Sequence, residues 1–261
     1  DNVLLQLADY MESMEELKRR IRSAMTYPVV AFGMILLIAT GLIVWVVPQF
    51  AEIFKSFDKA LPGPTQLLIN ISEVLRSWKI LIVIAAGIGT VIGFRAYRET
   101  ANGRLQTDAM FLKMPVFGKL LRKVAISRFA RTLSTLTRSG VSILAALEIV
   151  ERTAGNEVFA RVVRKAADSV RGGETLAEPL ARSQEFPAMV TRMIGVGEKT
   201  GALEQMLAKI SDFYDSEVKA AVDGLTSLIE PILILMMGVV VGGIVIALFM
   251  PILQLSSLVS Q

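Results

Sequence analysis

The chain has 261 residues, 53% of them hydrophobic and 20% charged, with a formal net charge of +4 and a mean hydropathy of +0.54. It is too apolar for an ordinary soluble protein and too charged for one wholly embedded in lipid, so spans joined to water-facing helices are the simplest reading. Without a single cysteine or histidine, it cannot use disulfides, thiolate or imidazole catalysis, or histidine-ligated metals.

Residues 1–27 read as an acidic helix that turns basic at Lys18, Arg19, Arg20 and Arg22. No start methionine or leader precedes them, so the sequence reads as a piece of a longer chain. Residues 28–48 form a first expected span, since Pro28 to Val47 carries no charge and a bilayer core takes about 20 apolar residues. Residues 49–78 are a short connecting segment. Residues 79–97 are the second span, whose short apolar run Ile80 to Phe94 leans on Trp78, Lys79, Arg95 and Tyr97 as interfacial anchors.

Residues 98–117 are a connector. Residues 118–228 read as a second, water-facing domain of about six helices with brief links. In it, Leu121, Val124, Ala125, Phe129, Leu133 and Leu136 recur at spacings of three and four between Lys119 and Ser139, the mark of one apolar helix face. Gly140 is placed to close that helix with a left-handed cap. Ser142 is placed to cap Ile143 to Thr153. Gly155-Asn156 and Gly172-Gly173 break the chain on either side of Glu157 to Val170. Thr175 is expected to cap Leu176 to Arg182, and Pro187 to open a helix ending near Gly197. A last helix starts after Gly201 and runs from Leu203 into a third span, residues 229–251, with an interruption expected at Pro231. A tail, residues 252–261, follows. No alternating β-branched run competes, so the fold class is all-α.

Lysine and arginine set the orientation. They cluster before the first span and between the second and third, whereas residues 49–78 hold three and the tail none. The N-terminal segment and the large domain therefore face the cytoplasm, and residues 49–78 and the C-terminus face the periplasm. The positive charge reflects this topology. No aromatic-interleaved basic stripe points to nucleic acid.

The chain also repeats itself. Residues 7–13 (LADYMES) resemble 210–216 (ISDFYDS), Pro28 matches Pro231 and Pro48 matches Pro251, all displaced by 203 residues. Residues 1–27 then read as the end of a first cytoplasmic repeat whose earlier part precedes this sequence.

Four motifs follow in order after the exit run VVPQF at 46–50: RSGVSILAAL from Arg138, GGETL from Gly172, Phe186-Pro187, and GVGEKTGAL from Gly195. Together they resemble the inner-membrane platform protein of type IV pilus assembly and type II secretion. The segment 57–65 and the ending from Met250 to Leu255 lean toward the pilus branch. The resemblance implies a non-enzymatic, homo-oligomeric platform in the bacterial inner membrane. Its implied partners are a hexameric cytoplasmic motor ATPase, a pilin or pseudopilin, other inner-membrane assembly proteins and the lipid bilayer. No cofactor or metal is implied.

The chain lacks a GxxxxGK[ST] phosphate loop, so the energy comes from another chain. Gly197 to Gly201 only superficially resembles one. A membrane enzyme would need a Ser–Lys or paired-carboxylate site, and none converges in a span. A transporter or channel fits poorly with spans that hold almost no charge.

Two sets of residues are candidates for partner contact. Arg128, Arg131, Arg138, Glu198 and Lys199 are candidate docking residues on the domain. The competing reading is a solvated helix face and, for Glu198, a helix-end charge at a corner between helices. Glu230, Pro231, Gly238 and Gly242 are candidates for membrane packing or pilin contact. For the glycines, packing within the chain and self-association both stand.

Overall fold

A computed structural model describes residues 2–49, 52 and 62–259, and every described secondary-structure element is helical. In chain order these are α1 (Asn2–Gly41), a π-helical turn (Leu42–Val46), α2 (Gly63–Arg76), α3 (Lys79–Glu99), α4 (Ala101–Lys113), α5 (Phe117–Arg138), α6 (Ile143–Thr153), α7 (Glu157–Arg171), α8 (Ala177–Arg182), α9 (Ala188–Thr200) and α10 (Leu203–Val259). Phe50 and most of segment 57–65 lie outside the described residues. The chain divides into two compact units, Asp1–Lys18 with Phe94–Gly224, and Arg19–Gly93 with Leu225–Gln261.

The first unit is a helical bundle. Its core stripe on α5 is Ala125, Phe129 and Leu133, all buried, with Leu136 packed against it. Phe129 and Phe159 both meet Phe186 edge-on, with ring centroids 4.9 and 5.4 Å apart, a geometry that adds to area burial. Phe186 of the Phe-Pro motif is thus the keystone of the core. Leu121, expected on the same stripe, is instead exposed, because the stripe runs on beyond the residues that α5 buries.

The corners follow backbone chemistry. After α5, Gly140 adopts φ +75°, its N–H reaches the Thr137 carbonyl at 3.1 Å, and the Val141 N–H reaches Leu136 at 3.0 Å, a Schellman closure. Gly173 repeats this after α7 with φ +92°. Ser142 stands at the N-cap of α6 without a side-chain cap bond. Asn156 caps α7, its side-chain oxygen accepting from the Val158 and Phe159 N–H groups at 2.9 and 3.4 Å.

Three differences from expectation matter. Helix α9 does not end near Gly197 but continues to Thr200, closed by Gly201 at φ +70°; Glu198 therefore lies inside its last turn. The connector 98–117 contains α4, whose Leu112 joins the core. Helix α10 passes Pro231 without a break, since one missing N–H inside an apolar helix is readily accommodated.

Three helices are long and apolar enough to cross a membrane: Met25–Gln49, Lys79–Glu99 and the stretch within Leu203–Met250. The chain is a membrane protein. In the second unit, α2 occupies what the sequence suggested was a plain connection. Its Thr65, Ile69 and Ser72 are buried at a spacing of four and three, and the Thr65 hydroxyl donates to the Ala247 carbonyl at 2.6 Å. Just before Pro48, the Val47 N–H reaches back five residues to Leu42. That wider turn moves the preceding carbonyls away from the proline ring. Its repeat counterpart, Pro251, stands inside α10 with no such turn.

Candidate functional site

The GVGEKTGAL motif builds a packed corner from α8, α9 and the start of α10. A Cβ on Gly195 would meet the Ala177 side chain at 3.3 Å, and one on Gly197 would meet the Leu203 Cα at 2.8 Å. At Gly197 only glycine fits without moving the backbone of α10, and at Gly195 a side chain would crowd Ala177. One turn on, the Glu198 carboxylate accepts from the Leu176 N–H at 2.5 Å and the Ala177 N–H at 3.1 Å. It therefore satisfies the free donors of α8 and sits at the positive end of that helix. Thr175, expected as the cap, does not perform this role; α8 has Leu176 at its N-cap with no side-chain bond of its own, and a side chain from another helix supplies it. Glu174 turns outward to Arg182, whose guanidinium holds its carboxyl below the ordinary glutamate range. Lys199 is exposed beside this corner.

The arginines of α5 separate by position. Arg131 pairs with Asp215 of α10 and donates from Nε to the Ser211 hydroxyl at 3.2 Å. The same Asp215 accepts from the Ser127 hydroxyl at 2.5 Å. Arg131 thus ties α5 to α10. Arg138 reaches Glu204 at 2.6 Å in an exposed pair. Arg128 lies over the α6–α7 corner, where a Cβ on Gly155 would collide with its guanidinium, and its buried Nε has no hydrogen-bond partner among the described residues. An open groove of about 690 Å³ lies elsewhere on the bundle, lined by Leu105, Arg161, Lys165, Asp168, Arg182 and neighbours.

In the third apolar segment, Glu230, Pro231 and Gly238 are exposed and Gly242 is half-buried. A Cβ on Gly238 or Gly242 would meet nothing within 4 Å, so neither glycine is a close-packing point inside the chain among the described residues.

The sequence signalled Glu198 as a candidate but not its two backbone partners. Asp108 was missed altogether. It is a buried carboxylate of α4 that accepts from Arg98 at 2.8 Å and from the Glu157 N–H at 2.8 Å, joining the last turn of α3 to the start of α7. An acid ten residues after an arginine was the available signal, and it is a weak one. Among the described residues, no cluster of three or more acidic, histidine or cysteine side chains is placed to hold a metal.

The family model of the type II secretion system protein F matches residues 1–48 and 129–251. The chain belongs to this family. The two matched stretches end at Pro48 and Pro251, the same pair of prolines that ends the internal repeat. Among its relatives is the type IV pilus assembly protein PilC of Myxococcus xanthus, 43% identical over 98% of this chain and 61% of that protein. The PilC of Pseudomonas aeruginosa is 38% identical over 99% of this chain and 69% of that protein. The type II secretion system protein F of Pseudomonas aeruginosa is 38% identical over 98% and 63%. The chain thus spans roughly 61–69% of these relatives. Family membership, with pilus relatives reaching the higher identity, places it among pilus and secretion assembly proteins.

Proposed function

We propose that this chain is part of an inner-membrane platform for type IV pilus assembly. A cytoplasmic motor ATPase acts on the helical bundle, and the spans pass the motion to pilin subunits entering or leaving the bilayer. The observation that carries this reading is similarity across 98–99% of this chain to proteins named for pilus assembly. The basic bias of the bundle supports a cytoplasmic position for it and a periplasmic one for residues 49–78 and the C-terminus. The unbroken α10, from the bundle into the third apolar segment, supplies a stiff element able to carry displacement. The chain acts without catalysis of its own, as a homo-oligomer in which Gly238 and Gly242 offer an open face to another helix. The shared prolines and the family match at both ends support a duplicated architecture. The secretion platform is the second reading, favoured by the similarity to protein F.

Of the docking candidates, Lys199 is exposed and Arg138 is exposed but engaged with Glu204, while Arg128 is half-buried over the α6–α7 corner and Arg131 and Glu198 act inside the bundle. Glu230 and Pro231 form the pilin-facing set with the two glycines. The test is binding of the purified motor ATPase to the full-length protein in nanodiscs. Lys199→Glu combined with Arg138→Ala is expected to weaken binding at least several-fold with only a small change in melting temperature, since the Arg138–Glu204 pair that is lost is exposed. Unchanged binding would remove these residues from the interface.

A further inference from the structure

Helix α4 does not run on from α3 but folds back along its last turn. The Tyr97 hydroxyl donates to Gln106 at 2.6 Å, Arg98 reaches Asp108 at 2.8 Å, and the Arg98 guanidinium lies 5.8 Å from the centre of the Phe111 ring. The close return is built in. The Thr100 hydroxyl accepts from the Gly103 N–H at 3.1 Å, and a Cβ on Gly103 would collide with the Tyr97 carbonyl. The next corner is equally fixed, since a Cβ on Gly118 would collide with the Leu112 carbonyl. Residues 106–111 are therefore held beside Tyr97 and Arg98, the residue types that anchor the end of a span at the headgroups.

At this place the bundle exposes apolar surface. Met110, Met114, Val116, Phe117 and Leu121 are 59, 40, 46, 55 and 37% exposed. They are five of the nine large apolar side chains exposed between residues 101 and 224; the other four are scattered. Five exposed apolar side chains within one corner of the chain mark a candidate interaction surface, whereas single exposed residues need no explanation. Lys113 and Lys119 flank it, both exposed and neither paired with an acid among the described residues. Apolar tips between lysines, three to six residues beyond the stretch packed on Tyr97 and Arg98, match an anionic bilayer surface in both polarity and charge.

We propose that the α4–α5 corner is a membrane-dipping foot: Met114 and Phe117 enter the headgroup region of the leaflet at the end of α3, while Lys113 and Lys119 contact acidic lipid phosphates. The proposal does not depend on the pilus reading, only on α3 spanning the bilayer. The foot would fix the bundle against the membrane at a second point, so motion applied to the bundle would work against a lipid-seated pivot.

These 261 residues hold no cysteine, so single nitroxide labels test this directly in the full-length protein once any cysteine outside them is replaced by serine. Labels are placed through Met114→Cys, Phe117→Cys, Val196→Cys as an exposed reference and Ile88→Cys as a mid-span reference. The protein is reconstituted in liposomes of phosphatidylcholine with phosphatidylglycerol. Collision rates with oxygen and with a water-soluble nickel chelate then report depth. Labels at 114 and 117 are expected to show several-fold lower nickel and higher oxygen accessibility than 196, approaching 88. Lys113→Glu with Lys119→Glu should move the 117 label outward in the anionic liposomes but not in pure phosphatidylcholine, each lysine contributing roughly five-fold to the surface equilibrium. Nickel accessibility at 117 equal to that at 196 would overturn the proposal. So would protection that vanishes as protein is diluted in lipid, which would mean that a second copy covers the patch. If 88 is also open to nickel, the span reading has failed and the foot falls with it.

Discussion

Removing the Glu198 carboxylate tests whether this motif residue is an internal strut or a docking point. In the structure it receives two N–H donors from the first turn of α8 at 2.5 and 3.1 Å. A hydrogen bond to a charged group contributes about 1.5–3 kcal/mol, the lower end applying to a half-buried site such as this. Glu198→Ala should therefore destabilise the bundle by about 3 kcal/mol, with two donors left unpaired. Glu198→Gln keeps a carbonyl acceptor and should cost about half of that. The neighbouring Lys199→Ala should stay within about 0.5 kcal/mol of the parent, as expected of an exposed substitution. The assay is denaturant unfolding of the full-length protein in a mild detergent, with hydrogen exchange read on peptides covering α8. In Glu198→Ala, the amides of Leu176 and Ala177 should lose protection by roughly a hundred-fold if they open locally. An unchanged midpoint with unchanged exchange at α8 would refute the strut and return Glu198 to the surface.

Four further substitutions probe the same framework. Asp108→Ala removes the acceptor of Arg98 and of the Glu157 N–H, and should destabilise the bundle by about 2–4 kcal/mol, measured as a shift of the unfolding midpoint. Gly103→Ala sets a Cβ against the Tyr97 carbonyl and should cost about 2–4 kcal/mol through forced backbone movement, seen as faster exchange across α4. Asp215→Ala leaves Arg131, among the described residues, with the Ser211 hydroxyl; the pair is partly exposed, so a loss of about 1–2 kcal/mol is expected in denaturant melts. Ser127→Ala in the Asp215→Ala background should add little, because its acceptor is already gone.

Much of the architecture was legible because its causes are local. Charge-free runs mark the apolar helices, and the glycines at 140, 155, 173 and 201, all at positive φ, mark corners that only glycine turns cheaply. The stripe of Ala125, Phe129 and Leu133 needs nothing but helical period. What the sequence concealed depends on distant partners. Glu198 meets backbone 22 residues upstream, so glycine-flanked position suggested a corner while the structure places it inside a helix. Gly197 was expected near a helix end, but it and Gly195 serve close packing inside α9. Leu121 obeyed the core period yet lies outside, because period says which face a residue occupies and not how far the neighbouring helices extend. Arg131 and Arg138 could not be told apart without knowing where Asp215 and Glu204 return. The π-helical turn before Pro48 was hidden because its repeat counterpart Pro251 sits in an unbroken helix, so the local sequence does not decide it alone.

The central claim is that the protein is an assembly platform, and gene replacement in its own cell tests it most directly. Deleting the gene should abolish surface fibres while pilin is still synthesised at the parental level, and the full-length gene should restore them. Normal piliation in the deletion strain would contradict the account.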